Sequence, residues 1–165
     1  LAVHDSLTGV LNRRAILERL AQEAARTARE GGTLFVGMCD LDHFKGINDT
    51  LGHQAGDDVL TVFTRRITAK LRGYDSVGRY GGEEFLVITP AGGKPDPRCL
   101  YERLRAEVEG TPIPTRAGDV ALTGSIGVAA GSGTSTVDGL VEAADRALYR
   151  AKAQGRNRVI LAPEE

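Results

Sequence analysis

Between Asn12 and the Gly31-Gly32 pair, Ile16, Leu20 and Ala24 recur at i, i+4 spacing, which predicts a helix over Arg13 to Glu30 with Asn12 as its cap and an arginine-rich outer face. Thr33 to Cys39 is an apolar run without polar alternation, the pattern of a strand buried on both faces, and it runs into Asp40-Leu41-Asp42. Leu60, Phe63, Ile67 and Leu71 line one face of a second helix over Asp57 to Leu71, after a loop from Gly52 to Gly56. Ser76 to Tyr80 and Glu84 to Thr89 read as two strands joined at Gly81-Gly82, where glycine permits the positive φ of a tight hairpin.

Pro90 to Pro97 reads as a surface loop, and the helix after it carries Leu100, Leu104 and Val108 on one stripe. Val120 to Val128 alternates with period 2, which predicts one strand with a single face in the core. A helix over Val137 to Ala153 buries Leu140, Val141, Ala144, Leu148 and Ala151, and a short strand from Arg158 to Leu161 follows. This order predicts an α+β or mixed α/β domain with one central sheet and helices packed over it.

Composition narrows the class. A chain of 165 residues suits one core, and 41% hydrophobic with 26% charged residues excludes disordered and fibrous classes. The formal net charge of -1 argues against a general nucleic-acid binder. Two cysteines, Cys39 and Cys99, cannot build a disulfide framework and are expected to be free packing residues. Three scattered histidines leave no zinc cluster, so any metal should be a hard, oxygen-bound one. The longest uncharged stretch, Val120 to Val137, is broken by Gly, Ser and Thr and makes a poor membrane span. The chain opens on Leu1 and runs straight into motif, which suggests a fragment of a longer protein.

Chemistry concentrates in two places. Arg79-Tyr80-Gly81-Gly82-Glu83-Glu84-Phe85 sets two glycines at a hairpin tip before two carboxylates and an apolar strand. Asp40 and Asp42 stand two residues apart at a strand exit, where period 2 gives them one side and burial makes an unpaired carboxylate costly. Two acidic clusters at strand ends suit Mg²⁺ and a polyphosphate, because magnesium takes one or two carboxylates and fills its shell with water and phosphate oxygens. Side-chain-free glycines let a nucleotide approach the backbone.

On these and further motifs the chain resembles the GGDEF family of diguanylate cyclases. The matching residues are Asp5 to Arg14, Asp40 to Asp49, Gly52 to Asp57, Arg79 to Phe85, Ser125 to Ala129 and Ala144 to Asn157, in the family's order and over nearly the whole chain. The signature carries Glu83 where the family name has Asp, which keeps the carboxylate.

The resemblance implies a mostly antiparallel five-stranded sheet with a βαββαβ core, like class III nucleotidyl cyclases and polymerase palms. It implies condensation of two GTP to cyclic di-GMP with Mg²⁺ (or Mn²⁺) and a homodimer for catalysis, since one domain presents one GTP. By motif position Asp40, the Leu41 carbonyl, Glu83 and Glu84 would bind metal. Adjacent strand residues point oppositely, so the division of roles between the glutamates stays open, with Glu83 favoured as the base. Asn48 and Asp57 would read guanine, although Asp57 also reads as a helix cap. Lys45, Lys152 and Arg156 would face the triphosphate, with the backbone amides at His43 and Phe44 and the open tip at Gly81 and Gly82; without the family, Lys152 and Arg156 read as a solvated helix end.

Arg72-x-x-Asp75 stands where the family carries an inhibitory product site, which Arg103 would complete from a neighbouring domain. The spacing alone means little, because Arg116-x-x-Asp119 repeats it, and Arg72 also reads as a helix-terminal cation. A second class of function is a silent receptor for GTP or cyclic di-GMP; the intact signature disfavours it. GTP supply and reduced cysteines point to the cytoplasm, with no membrane segment in this fragment.

Overall fold

In the computed structural model, residues 2–91 and 96–163 are described, and β1 (Thr33–Leu41) is the strand from which the rest is organised. It is preceded by α1 (Arg13–Glu30), which Asn12 caps by accepting from the Ala15 amide. After β1 come α2 (Phe44–Leu51), α3 (His53–Lys70), β2 (Ser76–Arg79), β3 (Glu84–Ala91), α4 (Pro97–Gly110), β4 (Ile113–Thr115), β5 (Gly118–Val120), β6 (Gly124–Gly131), α5 (Val137–Ala153) and β7 (Val159–Leu161). The main sheet has the order β2-β3-β1-β6-β7, antiparallel except for the β6–β7 pair. This is the α+β, palm-like arrangement with a five-stranded, mostly antiparallel sheet that the sequence led us to expect.

Alternation along β1 divides the core. Val36 and Met38 meet Leu86 and Ile88 of β3, Ile16 and Leu20 of α1, and Ala144 and Leu148 of α5. Cys39 and Leu41 meet Phe85 and Val87 on the other face, under Phe63 of α3 and Tyr101 of α4. The Phe63 and Phe85 rings lie 5.0 Å apart at 55°, a tilted aromatic contact that adds about 1 kcal/mol beyond its buried area. Central strands covered on both sides must be apolar throughout, which is why the Thr33 run lacks alternation.

Four local expectations are corrected. Phe44–Leu51 is a helix where no element was expected; eight residues with Gly46 inside are too few for periodicity to show. The next helix starts at His53 instead of Asp57, because Gly56 is a packing residue inside it and not a loop residue. The alternating stretch Val120 to Val128 is two strands: Val120 pairs with Ile113 in a small hairpin, whereas Gly124 pairs with Leu41 in the main sheet. Val120, Leu122, Ile126 and Val128 are nevertheless all buried, so the period survives the change of partner. Both β1 and β3 run two residues further than expected; Pro90 lies beyond the end of β2, where β3 has become an edge and lacks the need for a second ladder donor. The expected Pro90 to Pro97 loop thus loses its first two residues to β3, and residues 92–95 lie outside the described residues. Among the described residues no helix is long and apolar enough to cross a membrane.

Close packing of α5 on the sheet is testable at one glycine. A Cβ at Gly127 of β6 would collide with backbone atoms of Ala144 and Leu148 in α5, whereas one at Gly124 would meet nothing nearer than the Asp40 carbonyl oxygen at 3.7 Å. Gly127→Ala should cost about 3 kcal/mol, read from urea unfolding, with Gly124→Ala within about 1 kcal/mol of the parent.

Candidate active site

Parity and register together place the acidic groups. Asp40 follows Val36 and Met38 on the face shared with α1 and α5, and it stands opposite Glu84 in the β1–β3 ladder. Directly opposed residues project to the same side with their Cβ atoms about 5 Å apart. Asp40 is 6% exposed, and Lys152 of α5 donates its Nζ to Oδ2 at 2.6 Å. Burial, opposed by Lys152 and reinforced by Glu83 and Asp42, leaves the Asp40 carboxyl above the usual carboxylate range. Glu84 is likewise raised, by burial first and then by Asp40 and Asp145, with Lys152 pulling the other way. The register therefore separates the two glutamates: Glu84 belongs to β3 and faces Asp40, and Glu83 sits in the turn with its carbonyl accepting from the Leu41 amide.

The turn itself corrects the reading of its glycines. Neither Gly81 nor Gly82 has positive φ. Tyr80 and Gly81 both donate their amides to the Glu84 carbonyl, which closes a wider tip than a two-residue hairpin. Glycine is needed for room instead: a Cβ at Gly81 would come within 2.9 Å of Glu84 Oε1, and Gly82 is exposed with nothing near its missing Cβ. Arg79 holds the tip by donating Nε and Nη2 to the Gly82 carbonyl, at 3.1 and 2.9 Å. Its other nitrogen reaches Asp5, whose carboxylate is also tied to Thr8. Burial pushes Asp5 up, yet the Thr8 hydrogen bonds and Arg79 bring it below its ordinary value. Arg13 stacks on the Tyr80 ring at 4.0 Å and donates to the Tyr80 carbonyl. The motif spacing alone revealed neither brace.

Beyond Leu41 the chain turns sharply through His43, at φ 59, into α2. No side chain caps that helix, so its first-turn amides, starting with those of His43 and Phe44, are left for water or an anion; Lys45 is exposed beside them. Asn48 lies against Gly56, where a Cβ would collide with its Oδ1. Asp57 follows at once, exposed and inside α3, so the capping alternative for it falls. Its neighbour Asp58 is held instead by Arg116 through two side-chain bonds and one backbone bond, which bring its pKa to about 2.

Asp42 parts company with Asp40. Its carboxylate, 4% exposed, accepts from Thr123 Oγ1 at 2.6 Å, from Ser125 Oγ at 2.7 Å and from the Asn157 amide at 3.1 Å. Asn157 and Arg156, in the turn after α5, are both left-handed, with φ 47 and 66. A non-glycine residue in that region costs about 1–2 kcal/mol, so external bonds must hold the turn. Arg156 is exposed on it, one helical turn past Lys152.

At the other end of β2, Arg72 and Asp75 are bonded to each other. Asp75 accepts from the Arg72 amide, Nε and Nη2 at 2.8, 3.0 and 3.0 Å, and the Arg72 guanidinium lies 4.5 Å from the Tyr74 ring centre. The Asp75 side chain has no exposure, and Arg72 lies beyond the end of α3, so it does not serve as its terminal cation. Arg116 and Asp119, at the same spacing, form no such pair: Arg116 is spent on Asp58. Arg103 is exposed on α4. About 13 Å of strand separates Asp75 from the start of the glycine turn.

Among the described residues no three His, Cys, Asp or Glu side chains converge as a ready-made cage. Magnesium does not require one. Asp40 and Glu84 face each other, Glu83 and Asp42 add further negative charge, and among the described residues Lys152 is the cation that offsets it, so the group has the deficit that a hard cation with phosphate oxygens would fill.

The sequence matches the family described as Diguanylate cyclase, GGDEF domain, over residues 2–158. It is 45% identical over 161 residues to diguanylate cyclase DgcP of Pseudomonas aeruginosa, covering 98% of this chain and 24% of that protein. It is 42% identical to the response regulator PleD of Caulobacter vibrioides, covering 97% of this chain and 36% of that one. The chain thus spans only about a quarter to a third of these relatives. The fold superposes with a TM-score of 0.93 on the crystal structure of the GGDEF domain of DgcB from Caulobacter crescentus in complex with c-di-GMP, at 36% identity over 99% of this chain and 95% of that one.

The crowded carboxylates should trade stability for charge. Because Glu84 is raised in the fold, its contribution favours folding below the unfolded glutamate pKa of about 4.3 and is lost as pH rises through the folded value. Glu84→Gln should therefore raise the thermal midpoint at pH 8 and leave it unchanged at pH 4. A variant less stable than the parent at pH 8 would show that Glu84 is not under repulsion.

Proposed function

The chain belongs to the diguanylate cyclase GGDEF domain family, and on that footing we propose that it condenses two GTP into cyclic di-GMP and two pyrophosphates. The observation that carries the reading is the facing pair Asp40 and Glu84, with Lys152 as their nearest cation. Asp57 accepts from the N1-H and N2-H₂ edge of guanine, which adenine does not present, and the Asn48 carboxamide adds a donor and an acceptor beside it. The uncapped start of α2, with the His43 and Phe44 amides and Lys45, receives the phosphates from one side, and Lys152 and Arg156 from the other. Gly81 and Gly82 leave the tip open to the nucleotide.

Asp40, the Leu41 carbonyl, Glu83 and Glu84 would hold Mg²⁺ or Mn²⁺, which would lower the pKa of the 3′-hydroxyl and offset the charge of departing pyrophosphate. Glu83, in the turn and outside the Asp40–Glu84 ladder, accepts the hydroxyl proton. Lys152 then exchanges Asp40 for a phosphate oxygen. The product has two-fold symmetry and each domain presents one GTP, so two copies meet face to face. A reaction that consumes GTP belongs in the cytoplasm.

Product inhibition falls to Arg72. Asp75 engages its Nε and Nη2 edge and so leaves the edge that includes Nη1 turned outward, a fork that fits guanine O6 and N7. Asp75 thereby orients the arginine, and Arg103 completes the site from a neighbouring domain.

Incubation with GTP and Mg²⁺ followed by chromatography should yield cyclic di-GMP, and Glu83→Gln should lower turnover by at least about a hundredfold with the fold intact. Cyclic di-GMP production by Glu83→Gln at the parent rate would remove the assigned base, and binding of GTP without turnover by the parent would leave a receptor.

Added product should inhibit Arg72→Ala about tenfold less than the parent at fixed GTP, the loss expected for one bidentate base contact. Equal inhibition constants would show that Arg72 only closes its own turn.

A further inference from the structure

We propose that Asp42 is a positioning residue that anchors the turn carrying Arg156, and not a ligand of the metal. This rests on the nucleotide reading above for what the turn is used for, and on geometry alone for the anchor. Three donors, two from around the start of β6 and one from the turn, converge on one buried carboxylate: Thr123 Oγ1, Ser125 Oγ and the Asn157 amide. A carboxylate that already accepts three hydrogen bonds at 4% exposure has little left to offer a cation. Asp40 is just as buried but differs in its partners, since among the described residues its carboxylate accepts only from the displaceable ammonium of Lys152.

The turn needs what Asp42 supplies. Gly155, Arg156 and Asn157 all have positive φ, and only the first is a glycine. The Arg156 amide bonds back to the Ala151 carbonyl at 2.9 Å, which ties the start of the turn to α5. From Asn157 onward the holds lie outside the helix: its amide goes to Asp42 Oδ2 and Ser125 Oγ, its Oδ1 accepts from Arg105 of α4 at 2.8 Å, and its Nδ2 donates to Glu109. Arg158 then enters the sheet by giving its carbonyl to the Ile126 amide. Arg156 is thus fixed between a helix end and a bond to Asp42, and its direction depends on both. Asp42 itself cannot shift, because its amide bonds to the Thr123 carbonyl at 2.9 Å as the last rung of the β1–β6 pairing.

Amide hydrogen exchange without nucleotide tests the anchor. Asp42→Ala should speed exchange at Asn157 about tenfold relative to the parent while β3 amides stay protected, the loss expected for one buried hydrogen bond. Ser125→Ala, a milder change, should act in the same direction should Asp42→Ala fail to fold. Unchanged exchange at Asn157 in a folded variant overturns the proposal.

Binding of 3′-deoxy-GTP, which lacks the attacking hydroxyl, tests the use. With Mg²⁺, Asp42→Ala should weaken it about tenfold and leave guanosine binding as in the parent. The double variant with Arg156→Ala should be no weaker than Arg156→Ala alone, because both remove one contact. Asp42→Asn should bind within about threefold of the parent, since its carboxamide oxygen still accepts from the Asn157 amide. Additive losses, a raised Mg²⁺ requirement, or failure of Asp42→Asn as complete as that of Asp42→Ala would make Asp42 a metal ligand and overturn the proposal. A parent that binds no 3′-deoxy-GTP would overturn the nucleotide reading and the use assigned to the turn, with the anchor judged separately by exchange.

Discussion

The register of β1 against β3 is the constraint on which the site depends. With Asp40 opposite Glu84, the same pairing that buries Met38 beside Leu86 brings two carboxylates together at the open end of the ladder. A slip of one residue would turn Asp40 into the core under α3 and α4 and replace it with Leu41. Apolar burial on both faces of the sheet thus enforces an electrostatically unfavourable arrangement. Its relief comes from Lys152 in the structure as it stands, and in our reading from metal ions and a triphosphate.

That relief requires α5 to lie close over the sheet. Gly127 brings the backbone of α5 into direct contact with β6, and Ala144, Ala147 and Ala151 keep the contacting stripe small. On the same face Gly78 admits Ile16 of α1, and on the opposite face Gly37 admits the ring of Tyr101 of α4, whose hydroxyl meets Thr89. The chain's 21 glycines are thus partly a record of close approaches across the sheet; positive φ accounts for other positions, such as Gly31, Gly52 and Gly155. Burial also pushes the Cys39 thiol well above its ordinary value, which keeps it inert beside the acidic cluster.

The two ends of β2 are built on different principles. At the glycine turn, Arg79 and Arg13 brace the backbone from outside and leave the carboxylates clear. At Arg72 the cation and carboxylate close on each other and present one guanidinium edge. The repeat at Arg116 has the same spacing without the turn, and its arginine stabilises Asp58 on α3 instead. Short charged spacings therefore acquire meaning only from the backbone between them.

Long periodic stretches were legible in the sequence, because burial acts on every residue of such a run: α1, α5 and the β2–β3 hairpin follow directly from where Ile16, Leu148 and Phe85 recur. The glycine-carboxylate turn and Asp40 at a strand exit were legible for the same reason, since charge beside an apolar run is costly. What the chain alone left open were choices of partner. Period 2 placed Asp40 and Asp42 on one side, yet Lys152 took the first, while Thr123, Ser125 and Asn157, up to 115 positions away, took the second. The even-numbered apolar residues from Val120 to Val128 read as one strand, and only the competing partners Ile113 and Leu41 divided it. Parity could not say which glutamate joins Asp40 until the register paired Glu84 with it. A local pattern specifies which side of an element is buried, but hydrogen bonds and ion pairs between distant segments form only when the packed core brings their ends within about 3 Å, and that was decided by the tertiary structure.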